Sequence, residues 1–106
     1  PKTKHFAVDI AVPKNTPIKS VANGTVIFAD WTPTNGYVII IRHGDGIISV
    51  YKHVDSVTKS QGDVVRTAEV VATAGSTGKE STGVHLHFEL WKDGFAIDPT
   101  NFIDFE

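Results

Sequence analysis

Cysteine is absent from the 106 residues of this sequence. Disulfide bonds, thiolate metal sites and a cysteine nucleophile are therefore excluded together. Long apolar runs are also missing, because the longest, GYVIII at 36–41, is far shorter than the roughly 18 residues of a membrane-spanning helix. Ten Lys and Arg against twelve Asp and Glu give a net charge of −2. We therefore expect no membrane segment within this chain, and no nucleic-acid partner, whose polyanionic backbone usually requires a basic face.

The length of the chain is that of a single domain with one modest hydrophobic core. No secretory signal is present, and the first histidine, His5, lies close to the first residue, Pro1. We interpret residues 1–106 as one domain excised from a longer protein. The missing signal or anchor consequently says little about that parent protein.

Short runs rich in β-branched and aromatic residues dominate the sequence, and no segment has a sustained helical period. Tight turns are predicted at Gly44-Asp45-Gly46 and Asp93-Gly94, and Asn23-Gly24 predicts a hairpin between 18–22 and 25–31. Further strands are predicted in the runs at 5–12, 37–43 and 47–54, in two short runs before Gly75, and in the run from Val84. The pattern predicts an all-β fold of mostly antiparallel sheets, forming a sandwich or partly rolled barrel with an open groove.

The segment HLHFEL at 85–90 places two histidines two positions apart in a predicted strand. Side chains alternate between the faces of a strand, so His85, His87 and Glu89 share one face and the apolar residues between them share the other. Two imidazoles on one face repel each other when charged and gain little unless something binds them. This pair is therefore a candidate for metal binding or proton transfer.

A second set of candidate ligands lies in HFAVD at 5–9, where His5 and Asp9 share strand parity. Four residues of straight strand span about 13 Å, which is too far for both side chains to reach one ion, so we expect a bend next to Ala7 if both are ligands. His5, Asp9 and one of His85 and His87 would make three nitrogen or oxygen ligands. Three protein ligands leave a position for water, as in catalytic zinc sites, and the second histidine of the pair would stand beside that water. This arrangement favours a hydrolase.

The order of these motifs resembles that of the lysostaphin-type (LytM-type) zinc metallopeptidases, which cleave peptides of bacterial peptidoglycan. The resemblance covers nearly the whole chain. It rests on HxxxD at 5–9, NGYVIIIRHGDGIISVYKH at 35–53, VTKSQGDVV at 57–65 and GSTGKESTGVHLHFEL at 75–90. In relatives the residue between the two ligands of the first motif is often glycine, whereas this sequence has Ala7.

The resemblance implies that one zinc ion is held by His5, Asp9 and His87. It also implies that His53 and His85 are catalytic and act on the water and the transition state, without deciding which does which. The expected function is that of a zinc metalloendopeptidase acting on a peptidoglycan peptide substrate in the bacterial cell envelope, either periplasmic or extracellular. The bond cleaved is left open.

Other polar residues have weaker functional interpretations beside structural ones. Glu89 is a candidate for orienting a histidine, or a solvated carboxylate. Tyr51 shares strand parity with His53 and either lines the groove or packs in the interior. The loop at 75–83 either holds an extended peptide or is a connector. His43 matches a family position outside the catalytic set, and we expect it to be a turn or surface residue.

Two alternatives from other functional classes remain at this point. One is a non-catalytic regulator that uses the same fold to activate another cell-wall hydrolase, for which a damaged metal motif would be the expected mark. The other is a ligand-binding β-domain whose histidines bind adventitious zinc. Metal content before and after His5→Ala would discriminate against the latter.

Overall fold

The computed structural model of this chain describes residues 7–75 and 84–99. Within these two ranges nine strands form one antiparallel sheet that does not close into a barrel, which confirms the prediction of an all-β, mostly antiparallel fold. The strands are β1 (Val8–Ala11), β2 (Pro17–Lys19), β3 (Gly24–Thr32), β4 (Gly36–Arg42), β5 (Ile47–Val57), β6 (Val64–Val65), β7 (Val70–Ala74), β8 (His85–Lys92) and β9 (Phe95–Ile97). Within these ranges no helix is long and apolar enough to cross a membrane.

The main sheet has the strand order β1-β8-β5-β4-β3-β6, with β2 and β7 attached through β5 and with β9 paired to β8. The predicted turn at 44–46 joins β4 to β5, and Asp93-Gly94 joins β8 to β9. Asp93 and Gly94 have φ values of 51° and 86°, the left-handed conformation that a tight hairpin requires. Both hairpins are therefore confirmed.

The hairpin predicted at Asn23-Gly24 is wrong. Strand β2 pairs with β7, and β3 pairs with β4 and β6. Gly24 already belongs to β3, and a Cβ atom there would lie 2.5 Å from the carbonyl oxygen of Arg42 and 2.8 Å from Nδ1 of His43. Glycine is required at this position by the close approach of β4 and His43 rather than by a turn.

The core lies against one face of the sheet, where the apolar side chains of the long strands meet. Its members include Val26, Ile41, Tyr51, Phe88 and Leu90, all at most 4% exposed. In β8 the buried residues alternate with half-buried ones, as the period of HLHFEL predicts. The other face of the sheet, which carries His87, is called the histidine face below.

Candidate metal centre and active site

The strand register places three charged or titratable side chains in one row on the histidine face. His87 in β8 stands opposite Asp9 in β1 on one side and opposite Lys52 in β5 on the other. Directly opposed residues of antiparallel strands project from the same face, with Cβ atoms about 5 Å apart. The fold therefore brings together residues from the two ends of the described chain and from its middle.

His87 faces a carboxylate with each of its ring nitrogens. Its Nδ1 lies 2.9 Å from Oδ1 of Asp9, and its Nε2 lies 2.8 Å from Oε2 of Glu89. Carboxylate oxygens accept hydrogen bonds, so both contacts favour the protonated ring. The contact with Glu89, followed by that with Asp9, raises the pKa of His87 above its ordinary value, although partial burial opposes the rise.

Glu89 is the centre of a second group of contacts. Besides His87, it accepts a hydrogen bond from the indole Nε1 of Trp91 at 3.0 Å and forms an ion pair with Nζ of Lys52 at 3.0 Å. The hydrogen bond from His87, with those from Trp91 and Lys52, lowers the pKa of Glu89 to about 2 in spite of burial. Glu89 is consequently ionised throughout the neutral range and holds the Nε2 side of His87 in a fixed orientation.

His53 and His85 lie beside Asp9 and His87. Nε2 of His85 is 3.9 Å from Oδ1 of Asp9, and the ring of His53 is centred 5.9 Å from the rings of both His85 and His87. His53 has a φ of 62° and lies where the register between β4 and β5 shifts. This bulge turns the His53 ring toward the histidine face, as bulges near functional sites commonly do.

Four of the five sequence-predicted metal and catalytic residues therefore meet at one place: Asp9, His53, His85 and His87. The fifth, His5, lies outside the described residues, as does most of the 75–83 loop. The bend expected next to Ala7 involves residues before Ala7, which lie outside the described residues as well. In the described part of the chain β1 begins at Val8 and is extended from there.

Tyr51 does not share a face with His53. It pairs with Phe88 across β5 and β8, is 1% exposed, and its ring centre lies 5.3 Å from that of Phe88. Its hydroxyl accepts a hydrogen bond from the backbone N–H of Val21 at 3.2 Å, and burial raises its pKa. Strand parity misassigned it because the bulge at His53 interrupts the alternation. Tyr51 packs in the core, the structural one of its two interpretations.

His43 lies outside the cluster, as expected, but it is buried rather than at the surface. Its Nδ1 donates to the carbonyl oxygen of Asn23 at 2.7 Å, and its Nε2 is hydrogen-bonded to the hydroxyl of Ser49 at 2.7 Å. Both ring nitrogens therefore have a partner. These two hydrogen bonds connect the residue after β4 to the residue before β3 and to β5.

Sequence reasoning missed Lys52 and Trp91. Regular alternation along YKH would put Lys52 on the face opposite His53, whereas the bulge brings both to the histidine face. Trp91 shares parity with Glu89, which was a usable signal, but nothing local showed that its N–H would be directed at that carboxylate. The contact of Lys52 with Glu89 depends on how β5 and β8 pair, whereas that of Trp91 lies within β8.

The donor atoms at Asp9 and His87, a carboxylate oxygen and an imidazole nitrogen, are of the kinds that zinc binds. Two ligand atoms bonded tetrahedrally to zinc at about 2.1 Å lie about 3.4 Å apart. Oδ1 of Asp9 and Nδ1 of His87 lie 2.9 Å apart, so they would separate slightly to admit the ion. Nε2 of His87 faces Glu89, so Nδ1 is the ring nitrogen that could bind a metal, as in histidines whose other nitrogen donates to a carboxylate. Among the described residues no group of three His, Cys, Asp or Glu side chains forms a metal site, and His5 is not among them.

Similarity to known proteins identifies the family to which the chain is related. A model of peptidase family M23 matches residues 3–99. The chain is 36% identical over 97 residues to the DD-carboxypeptidase/endopeptidase Mpg of Neisseria meningitidis, covering 92% of this chain and 22% of that protein. It is also 36% identical over 90 residues to the murein hydrolase activator EnvC of Escherichia coli, covering 85% of this chain and 21% of that protein.

Among solved structures, the fold is similar to the catalytic domain of the antimicrobial peptidase lysostaphin from Staphylococcus simulans. The TM-score is 0.84 and the identity 31%, over 92% of this chain and 77% of that one. The chain thus spans most of a solved catalytic domain but about a fifth of the length of the two relatives above.

Proposed function

We propose that this chain, which belongs to peptidase family M23, is a zinc-dependent endopeptidase. Its substrate is bacterial peptidoglycan, in which it hydrolyses peptide bonds. It acts in the cell envelope, in the periplasm or outside the cell. The observation that carries the proposal is the convergence of Nδ1 of His87 and Oδ1 of Asp9, at 2.9 Å, beside the rings of His53 and His85. In this proposal His5, Asp9 and His87 hold one zinc ion.

When bound, zinc supplies a hydroxide from water near neutral pH and polarises the scissile carbonyl. His53 and His85 provide the proton transfers: a neutral imidazole accepts a proton from the attacking water, and an imidazolium donates one to the leaving amine or stabilises the oxyanion. Nε2 of His85 lies 3.9 Å from Oδ1 of Asp9, so in this proposal His85 stands next to a metal ligand.

Glu89 acts on this chemistry through His87. By accepting the Nε2–H it leaves Nδ1 as the nitrogen that gives up its proton when a metal binds, and Lys52 and Trp91 keep the carboxylate in place. Glu89 is therefore a positioning residue, which agrees with the functional one of its two interpretations from sequence.

A regulatory role is the second candidate function, favoured by the similarity to the murein hydrolase activator EnvC. A regulator needs a surface for its partner but no intact metal and proton-transfer groups. This sequence keeps His5, Asp9, His53, His85 and His87, which supports the peptidase over the regulator.

Digestion of purified peptidoglycan sacculi tests the proposal. The zinc-loaded domain is expected to release soluble peptides whose new amino termini, identified by mass spectrometry, also reveal the bond cleaved. The same preparation treated with a chelator should release none, and added zinc should restore release. Release that is unaffected by chelation, or no release from sacculi of any cross-link chemistry, would contradict the peptidase proposal.

Replacing the Glu89 carboxylate with an amide should weaken zinc binding. Glu89→Gln keeps the shape of the side chain but removes the charge that holds the Nε2–H of His87, so we expect zinc affinity to fall about tenfold or more. Competition with a chromogenic chelator measures this affinity without any activity. Glu69→Gln is the matched control, because Glu69 forms an ion pair with Lys59 away from the site. Equal zinc affinities for Glu89→Gln and Glu69→Gln would remove the positioning role.

A further inference from the structure

The chain contains two arginines, Arg42 and Arg66, and both line one cavity of about 450 Å³. The cavity lies where the end of β4 meets the start of β3 and the short strand β6. Its other walls include Thr25 and Val64, and His43 closes part of it. Two guanidinium groups at one concave surface form a candidate anion site, since they present rigid, planar sets of N–H donors.

Within residues 7–75 and 84–99 no side-chain ion pair joins either arginine to a carboxylate. The hydrogen bond from Lys59 is the main cause that lowers the pKa of Glu69, and the charge of Arg66 contributes least to it. Glu69 accepts from the backbone N–H of Arg66 and forms an ion pair with Lys59, and Asp63 accepts from the backbone N–H of Ser60. Both arginines are exposed, so their donors are available to a ligand from solvent.

The strand register puts this cavity on the same sheet face as the proposed active site. A cross-strand row runs from β8 to β6 through Trp91, Ile48, Arg42, Thr25 and Val64. Directly opposed residues share a face, and Trp91 shares strand parity with His87. Arg42 therefore projects from the histidine face.

The separation from the metal ligands matches the length of a short peptide. His87 and Trp91 are four residues apart along β8, about 13 Å, and β8 and β4 are two strand spacings apart, about 10 Å. The Cα atoms of His87 and Arg42 are consequently about 16 Å apart, the span of roughly five extended residues. A peptide with its scissile bond at the metal would bring a group a few residues away to the arginines.

We propose that Arg42 and Arg66 form a subsite for a carboxylate of the peptidoglycan peptide, several residues from the bond that is cleaved. This inference rests on the proposed function, because it assigns part of the same substrate to a second place on the histidine face. The rigid fork of an arginine matches a carboxylate through two parallel hydrogen bonds. The exposed valine beside the arginines, Val64, offers apolar contact to the neighbouring substrate residue.

Kinetics with two forms of one substrate test the subsite. Soluble cross-linked muropeptides are used either unchanged or with their carboxylates converted to amides. We expect Arg42→Gln/Arg66→Gln to raise KM for the unchanged substrate about tenfold, the scale of one charge-assisted contact, and to leave kcat within about twofold. With the amidated substrate the variant and the unmodified protein should have equal KM. Zinc content should be the same in both proteins.

Lys14→Gln is the control, because it removes one positive charge from an exposed turn outside the cavity. If it raises KM as much as the arginine changes do, general attraction explains the effect and the subsite is overturned. Equal KM values for the variant and the unmodified protein on unchanged muropeptides would also overturn it.

If the unmodified protein hydrolyses neither substrate, the proposed function fails, and the subsite is then judged by binding alone. NMR titration of the domain with the unchanged muropeptides should give shifts near Thr25 and Arg42 that the double arginine variant lacks. Identical titrations would overturn the subsite.

Discussion

Replacing His53 or His85 with alanine is expected to lower hydrolysis of peptidoglycan peptides by about a hundredfold or more while zinc stays bound. The loss corresponds to removing one proton-transfer group from the reaction. Zinc stays because three other residues, His5, Asp9 and His87, hold it in the proposed site. Zinc content and the rate of hydrolysis are to be measured on the same preparations.

Two outcomes would contradict this division of roles. If either variant lost zinc together with activity, that histidine would belong to the metal site. If both variants kept full activity, the enzymatic function itself would be in doubt. Because His53 has a left-handed backbone, with φ of 62°, His53→Asn is a useful second variant: asparagine tolerates this conformation better than alanine.

Alanine at Asp9 or His87 is expected to remove most of the bound zinc, and with it the hydrolytic activity. Each change deletes one of three proposed ligands, and the loss of His87 also leaves the carboxylates of Asp9 and Glu89 without their shared partner. Metal content by atomic spectroscopy after dialysis measures the effect. Asp9 is the more informative residue, because its side chain is 62% exposed and its removal leaves no buried cavity. Full zinc content in Asp9→Ala would contradict the assignment of Asp9 as a zinc ligand.

His43→Ala is the histidine control for this experiment. It should retain zinc, since His43 lies outside the cluster, yet it should lower the free energy of unfolding by about 1–3 kcal/mol. The cost arises because the buried hydroxyl of Ser49 and the carbonyl of Asn23 lose their partner. Urea unfolding separates this loss of stability from any loss of metal.

The face that each residue of β8 occupies was predictable from sequence, because a strand that separates a core from a polar surface shows a period of two. Leu86, Phe88 and Leu90 alternate with His85, His87 and Glu89, and the burial follows that order. The hairpins at 44–46 and 93–94 were predictable for a similarly local reason, since few residues adopt the backbone conformations of tight turns.

The face occupied by His53 was not predictable from alternation. A bulge adds one residue to a strand and reverses the parity of everything beyond it, and it arises from how β5 fits its partners rather than from YKH itself. Tyr51 was consequently grouped with the wrong neighbours.

The contacts of Glu89 could not be predicted either. The ion pair with Lys52 requires that Lys52 stand opposite His87, and a shift of one residue in the pairing of β5 and β8 would separate them. The packing of the whole sheet sets this register. The sequence therefore shows that Lys52, His87 and Glu89 are present but does not predict that they are in contact. The place of Arg42 on the histidine face depends on the same long-range pairing.

The contact between Asp9 and His87 joins residues 78 positions apart in the chain. A ribosome synthesises the chain from the amino terminus, so Asp9 is made well before His87. The contact between them cannot form until β8 has emerged. A nascent or prematurely terminated chain that stops before residue 87 therefore contains Asp9 and His53 but lacks His87 and most of the strand that pairs with β1. The order in which the chain is made thus delays assembly of the site until the strand that completes it has emerged.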